Sequence, residues 1–189
     1  MAAVISSESV KNLRDQSGAP MMDCKRALEE ARGDVTAAAR ILKEKGLAKA
    51  EKKLSRATKE GLISSYVHQN RVGVLLEIGC ETDFVARCPD LQTLSKDLTL
   101  QIASMAPRYI SREQVPAEEV EQKRRALKEE GDSVEKRLEE WFTHICLLEQ
   151  AFIRDPGQRI KDVVSGVVAK IGENIIIKRF TRFEIGEVQ

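Results

Sequence analysis

The sequence predicts an α+β protein, and three observations lead to this fold class. Apolar residues recur at helical spacing through the first 46 residues and again over much of residues 91–171. Two runs at residues 62–67 and 72–78 instead carry the β-branched and apolar residues of strands, and a third such run occupies residues 174–187. Because the helices come in groups between the strands, we expect a small three-stranded antiparallel sheet packed with helices.

Composition excludes several classes of protein. Of the 189 residues, 42% are hydrophobic and 32% charged, which is typical of a globular chain and not of a disordered one. Lys and Arg number 31 against 30 Asp and Glu, so the net charge of +1 creates no overall attraction to nucleic acid or anionic lipid. No apolar run approaches the ~18 residues of a spanning helix, and residues 1–9 lack the features of a signal peptide. We expect a cytoplasmic protein with neither membrane nor direct nucleic-acid partners.

Three short helices are predicted at the amino terminus, each ended by a residue that disfavours helix. The first stops before Gly18 and Pro20, and the second ends at Gly33. The third begins after Asp34, a typical N-cap, and closes at Gly46. We expect residues 1–50 to form a separate three-helix module.

A charged stretch follows this module. Residues 43–60 contain seven basic and three acidic side chains, a local net charge of +4. We interpret the stretch as a solvated linker helix, with residues 51–60 as the boundary between domains. The alternative is that it attracts an acidic partner.

Residues 61–189 are predicted to form the α+β core. The polar residues 68–71 separate the first two strands at hairpin spacing. In the last strand the apolar positions change parity between Phe180 and Phe183, which predicts a bulge or bend there. Amphipathic stripes predict helices over residues 91–105, 134–148 and 160–171, whereas the polar residues 118–130 are expected at the surface.

Few residues suggest covalent chemistry. The sequence has no glycine-rich phosphate-binding loop, and neither His68 nor His144 lies in a recognised catalytic arrangement. A dyad of Cys80 and His68 across the hairpin is an alternative. The four cysteines, Cys24, Cys80, Cys88 and Cys146, lack the spacing of metal ligands. We expect reduced thiols, no cofactor, no bound metal and no enzymatic activity.

One turn does not fit a purely structural interpretation. After the second strand, the sequence places the large apolar Phe84 in a short segment that also contains Glu81 and Asp83. In one interpretation Phe84 folds back onto the core. In the other it protrudes with Val85 as an apolar wedge beside a carboxylate, which is the kind of anchor that dominates protein interfaces.

Three separated blocks resemble the elongation factor Ts family. The first block is Leu13-Arg14, Ser17-Gly18-Ala19, Met21-Met22-Asp23-Cys24-Lys25-Arg26-Ala27-Leu28 and Gly33-Asp34. The second is Gly73-Val74-Leu75-Leu76-Glu77, Cys80-Glu81-Thr82-Asp83-Phe84-Val85-Ala86 and Gln101-Ile102-Ala103. The third is Leu148-Glu149-Gln150, Lys170-Ile171-Gly172-Glu173-Asn174-Ile175, Arg179-Phe180 and Arg182-Phe183-Glu184. The chain departs from the family pattern at Pro20, where glycine is usual, and at Cys88-Pro89-Asp90-Leu91, which replaces a more polar stretch.

The resemblance implies a guanine nucleotide exchange factor for elongation factor Tu, the GTPase that delivers aminoacyl-tRNA to the ribosome. The first module would have a ubiquitin-associated-like fold and would dock on the GTPase domain through Leu13, Met21 and Met22. The turn Thr82-Asp83-Phe84-Val85 would enter beside the nucleotide site. There Phe84 would wedge between helices of the partner and, with Asp83, displace the groups that hold Mg²⁺ and phosphate, so that GDP leaves.

The chain is similar to the short form of the family, because it has one hairpin, one such turn and one closing strand. The long form resembles a duplicated core, and a second copy of this chain would replace the missing half. We therefore expect a homodimer formed through the sheet.

Two other classes of function remain open. An adaptor that binds ubiquitin or peptides could use the same three-helix unit. An RNA-binding module could use the basic residues 43–59, although Tyr66 is the nearest aromatic side chain for stacking.

Overall fold

The computed structural model describes residues 5–53, 55–129 and 133–187. Eight α-helices lie in this part of the chain: α1 (Ser7–Ser17), α2 (Met21–Glu30), α3 (Val35–Glu51), α4 (Asp83–Ala86), α5 (Pro89–Met105), α6 (Ala117–Glu129), α7 (Val134–Ile145) and α8 (Ile160–Ile171). The strands are β1 (Glu60–His68), β2 (Val72–Cys80), β3 (Ala151–Phe152), β4 (Asp155–Arg159) and β5 (Ile175–Glu184). The predicted α+β class is confirmed.

Helix α1 and the start of α3 have the kinds of terminal residue that the sequence predicts. Ser6 caps α1 by accepting a hydrogen bond from the Ser9 N–H at 3.0 Å, and Gly18 ends it with a φ of 66°. Asp34 caps α3. The three helices enclose a small core of their own, formed by Val10, Leu13, Cys24, Ala27, Leu28 and Ala38.

The predicted end of the third helix at Gly46 is wrong, because α3 continues to Glu51. A Cβ atom built on Gly46 would lie 3.1 Å from the Cβ of Ala169, so the glycine allows α3 to approach α8 closely. Farther along α3, Ala50 is buried in the core beneath the sheet. This part of α3 is therefore packed on one side through Gly46 and Ala50, whereas Lys43, Glu44, Lys45 and Ala48 remain exposed. The linker of residues 51–60 stays a prediction.

The main sheet has the order β1-β2-β5 and is antiparallel throughout. The β1–β2 hairpin closes with Gln69 and Asn70 at positive φ, 48° and 55°. The N–H of Arg71 donates to the carbonyl of His68 at 2.9 Å. Two successive residues at positive φ produce the turn that matches the twist of a hairpin.

A bulge does occur in β5, but not at the predicted position. The register shifts where Glu77 and Ile78 face Arg179 and Ile177, so the extra residue is Lys178. The parity argument assumed that Phe183 points inward, whereas its side chain is 57% exposed.

Helix α5 packs against the sheet and α8 packs against α3 and α5, and buried residues of both α5 and α8 form the main core with the sheet. Gln101 on α5 is fully buried, and its amide bonds to the side chain of Gln150 and to the backbone of Ala151 and Ile153. These bonds lie beside the β3–β4 ribbon, a two-stranded sheet that the sequence did not predict because its strands are too short to show a period.

Helices α6 and α7 pair as a hairpin with a third small core. The segment expected at the surface is helix α6, in which Leu127 is only 1% exposed, so the surface prediction is wrong for this residue. Within the described ranges, no helix is long and apolar enough to cross a membrane.

Candidate partner-binding site

The turn between β2 and α5 is built around one short helix. β2 ends at Cys80, and α4 is a single turn that begins after Thr82. Thr82 has extended backbone angles, and its hydroxyl accepts a hydrogen bond from the N–H of Val85 at 3.4 Å. Thr82 therefore acts as the N-cap that reverses the chain from strand to helix.

The two apolar residues of this turn point in opposite directions. The Phe84 side chain is 79% exposed, whereas Val85 is 4% exposed and belongs to the main core. The interpretation of Phe84 as a core residue is therefore wrong, and so is the expectation that Val85 protrudes with it. The arrangement is a single exposed aromatic ring on a base that the buried Val85 anchors.

Asp83 lies at the base of this ring. Its carboxylate forms an ion pair with Arg87 one turn later, and both side chains are exposed. Arg87 also donates from Nε to the Asp83 carbonyl at 3.4 Å. The surface around Phe84 thus combines an apolar ring with a paired carboxylate, which suits a protein partner better than a small molecule.

The two residues that precede β5 contact this turn. Glu173 accepts two hydrogen bonds from Thr82, one from the N–H at 3.0 Å and one from the hydroxyl at 2.8 Å. Asn174, which is fully buried, donates from its N–H to Glu81 at 2.6 Å. Sequence analysis assigned no role to Glu173 or Asn174, although both lie in one of the motifs on which the resemblance rests.

The three site residues predicted in the amino-terminal module do not share one environment. Met21 and Met22 are 44% and 57% exposed, so both are accessible to a partner. Leu13 is fully buried in the core of the module. Leu13 is thus covered by its own module in the free chain, and its contact with a partner stays a prediction. An apolar residue facing its own core looks the same in sequence as one facing a partner.

The structure excludes the Cys80–His68 dyad. Cys80 pairs with Glu60 at one end of the hairpin and His68 pairs with Val72 at the other, roughly 25 Å away along the strands. Burial raises the pKa of the Cys80 thiol, whose Sγ donates to the Thr82 carbonyl at 3.1 Å. Such a thiol supports the turn and is a poor nucleophile.

The structure also shows the surroundings of the four cysteines and of the basic stretch at residues 43–60. The four cysteines are free, and three of them are buried. Among the described residues, no group of three or more His, Cys, Asp or Glu side chains could hold a metal ion. In the basic stretch, Lys45 pairs with Glu30 and Arg56 pairs with Glu81, so at least two of its cations are engaged within the chain.

Comparison with known proteins identifies relatives over almost the full length. The family model described as "Elongation factor TS" matches residues 1–187. Curated relatives named elongation factor Ts include that of Fervidobacterium nodosum, which is 50% identical over 97% of this chain and 99% of its own. Those of Thermodesulfovibrio yellowstonii and Carboxydothermus hydrogenoformans are 47% and 48% identical, over 98% and 97% of this chain and 98% and 90% of their own.

Proposed function

Because the chain belongs to the elongation factor Ts family, and is thus a translation elongation factor, we propose that it binds the GDP form of elongation factor Tu and promotes GDP release. The single observation that carries the proposal is the exposure of Phe84, 79%, on a turn whose next residue is buried. A partner that covers the ring would remove this apolar surface from water, and that burial would favour the complex. The buried Val85 holds the backbone of the turn, so the ring is presented from a fixed base.

The thermodynamics of exchange requires only differential binding. If the chain binds nucleotide-free elongation factor Tu more tightly than the GDP form, it must weaken GDP binding by the same factor. Each tenfold factor corresponds to about 1.4 kcal/mol, so a few well-placed contacts are sufficient. The chain makes and breaks no covalent bond in this scheme.

The turn formed by Thr82, Asp83 and Phe84 is the group that we assign to the exchange step. Phe84 would enter between helices of the GTPase beside its nucleotide site. With Asp83, it would displace the partner groups that hold Mg²⁺ and the phosphates of GDP. Loss of the Mg²⁺ bridge removes a large positive charge from between phosphate and protein, and GDP then dissociates faster. Val85 contributes to this step indirectly, because its buried side chain anchors the turn in the core.

The amino-terminal module would provide a second contact on the GTPase. Met21 and Met22 lie in the first turn of α2 and are both exposed. Methionine side chains are flexible and polarizable, which suits them to an interface. Leu13 supports this contact indirectly, by holding α1 against the rest of the module.

A homodimer formed through the sheet is the further partner that we propose. The face of the sheet opposite the helices carries the exposed apolar residues Ile63, Val67, Leu75 and Phe183. At one end of this face, Glu77 forms a hydrogen bond with Arg179 at 2.6 Å, which lowers the pKa of its carboxyl group. An apolar face bordered by a satisfied ion pair fits a second copy of the same face. The compartment that follows from a role in translation is the cytoplasm.

Release of fluorescently labelled GDP from purified elongation factor Tu tests the proposed function. We expect the release rate to rise with the concentration of this chain and then to saturate. A spontaneous rate that stays unchanged at every concentration would contradict the proposal. A gel shift of RNA in the absence of any effect on release would favour the RNA-binding alternative, through residues 43–59.

A further inference from the structure

The turn that presents Phe84 has little structure of its own. α4 has only four residues, and a helix of that length is not stable by itself. Its capping bond from the Val85 N–H to Thr82 is long, at 3.4 Å. The position of the turn must therefore be fixed by contacts with other parts of the chain.

Glu173 provides such a contact from 91 positions away in the sequence. Its two carboxylate oxygens accept separate hydrogen bonds from the N–H and the hydroxyl of Thr82, at 3.0 and 2.8 Å. Hydrogen bonds to an ionised carboxylate are stronger than neutral ones, and two of them fix orientation as well as distance. Both polar donors of Thr82 are thereby satisfied by one side chain.

Glu173 is itself held in place on both sides. Gly172 ends α8 with a φ of 89°, which a side chain would strain, and Asn174 is fully buried. The N–H of Asn174 donates to Glu81, and its side-chain amide donates to the carbonyl of Arg56 at 2.8 Å. The side chain of Glu81 thus accepts from the backbone of Asn174, and the side chain of Glu173 accepts from the backbone of Thr82. These bonds continue the β2–β5 ladder beyond its last pair, Cys80 with Ile175.

We propose that Glu173 is a positioning residue, whose carboxylate clamps Thr82 and so fixes the direction in which Phe84 leaves the surface. The inference rests on the proposed function, because the clamp has a role in GDP release only if the chain is an exchange factor. A side chain already held in its bound orientation loses less conformational freedom on binding than a mobile one. The clamp thus favours complex formation without itself contacting the partner.

Two substitutions at Glu173 separate positioning from general stability. Glu173→Ala removes both acceptors, and we expect GDP release from elongation factor Tu to slow about tenfold, the factor typical of one charged hydrogen-bonding group. Glu173→Gln keeps one acceptor oxygen and offers an amide donor to the Thr82 hydroxyl, so we expect most of the rate to return. The control is Glu139→Ala on α7, where the carboxylate also accepts two bonds, both from Arg112 at 2.7 Å. Its removal should leave the release rate unchanged.

Amide hydrogen exchange of the free chain tests the clamp without any partner. In Glu173→Ala, we expect the Thr82 amide to exchange about tenfold faster than in the parent chain, because its acceptor is lost. Amides of α5 should keep their protection. Unchanged exchange at Thr82 would overturn the clamp, whether or not the chain releases GDP.

A double-mutant comparison links the clamp to Phe84. If Glu173 acts by positioning Phe84, then Glu173→Ala should slow GDP release in the parent chain but have no further effect in a Phe84→Ala chain. Equal factors in both backgrounds would overturn the positioning role. A normal release rate in Glu173→Ala alone, with a slow rate in Phe84→Ala, would also overturn it while leaving the proposed function intact. Failure of the parent chain itself to release GDP would instead overturn the proposed function and the role of the clamp in exchange.

Discussion

Leu13 and Met22 show how two apolar side chains in adjacent helices acquire different roles. Both lie in motifs of the family, and both were expected to contact the partner. Leu13 faces α2 and α3 and is fully buried, whereas Met22 is 57% exposed. Sequence alone cannot separate these roles, because core and interface both require an apolar residue and differ only in which element covers it.

This difference predicts that alanine substitution at Leu13 affects mainly folding stability, whereas substitution at Met22 affects mainly partner binding. Leu13→Ala should lower the free energy of unfolding by about 2–5 kcal/mol, because it leaves a cavity in a small core. Met22→Ala should change it by less than about 0.5 kcal/mol, as is usual for exposed positions. We expect Met22→Ala, however, to weaken binding to elongation factor Tu. Chemical denaturation and a binding titration on both variants test this, and the opposite order of stabilities would contradict the assignment.

Phe84 and Glu173 show which parts of the site could be predicted from the sequence and which could not. The exposed position of Phe84 could be proposed as one of two alternatives, because a large apolar residue directly after acidic ones in a turn is unusual. The contact of Glu173 with Thr82 could not be predicted. It depends on β2 and β5 being neighbours in the sheet, and 91 residues separate the two partners.

At the scale of single elements, Gly46 illustrates a tertiary contact that overrides a local rule. Glycine near a run of lysines predicts a helix end, yet α3 continues for five more residues. Gly46 instead lies where α3 packs closely on α8, since a Cβ atom built on it would be 3.1 Å from the Cβ of Ala169. Similarly, the bulge in β5 was placed incorrectly because the inward position belongs to Arg182, whose side chain is 13% exposed and bonds to the Ala103 carbonyl.

Substitutions of two glycines test the packing of α3 against α8. Gly46→Leu should destabilise the chain by about 1–3 kcal/mol, because the larger side chain forces the two helices apart. Gly166→Leu is the matched control, since Gly166 is exposed on α8 and nothing lies within 4 Å of its added Cβ atom. The control should be neutral or more stable, because leucine favours helix. Equal thermal midpoints of the two variants would refute the close packing.

At the scale of the whole molecule, the division into residues 1–50, 51–60 and 61–189 remains a prediction. The structure indicates where a cut would occur: α3 ends at Glu51, β1 begins at Glu60, and the described residues between them form no regular element. Brief digestion with trypsin should cleave first at Lys52, Lys53, Arg56 or Lys59, because exposed irregular segments are the usual sites. Mass spectrometry of the fragments identifies the site of first cleavage. First cleavage inside α5 would argue against the boundary.

The open face of the sheet predicts the oligomeric state. We expect sedimentation equilibrium to give twice the chain mass of 21.2 kDa at micromolar concentrations. Leu75→Glu should shift the equilibrium towards the monomer, because it places a charge at the centre of the apolar face. The control Met105→Glu alters an exposed apolar residue at the end of α5 and should leave the mass unchanged. A monomer of 21.2 kDa with full exchange activity at all concentrations would exclude the dimer.

The most direct test of the whole account is GDP release from elongation factor Tu by the Phe84→Ala chain, measured beside its thermal unfolding. Because Phe84 is 79% exposed, its removal should leave the unfolding midpoint close to that of the parent chain. A core residue would instead cost about 3–5 kcal/mol. We expect release to slow by about 30-fold or more, the effect of losing a dominant interface anchor, while Met105→Ala retains the parent rate. A folded Phe84→Ala chain that releases GDP at the parent rate would contradict the central claim.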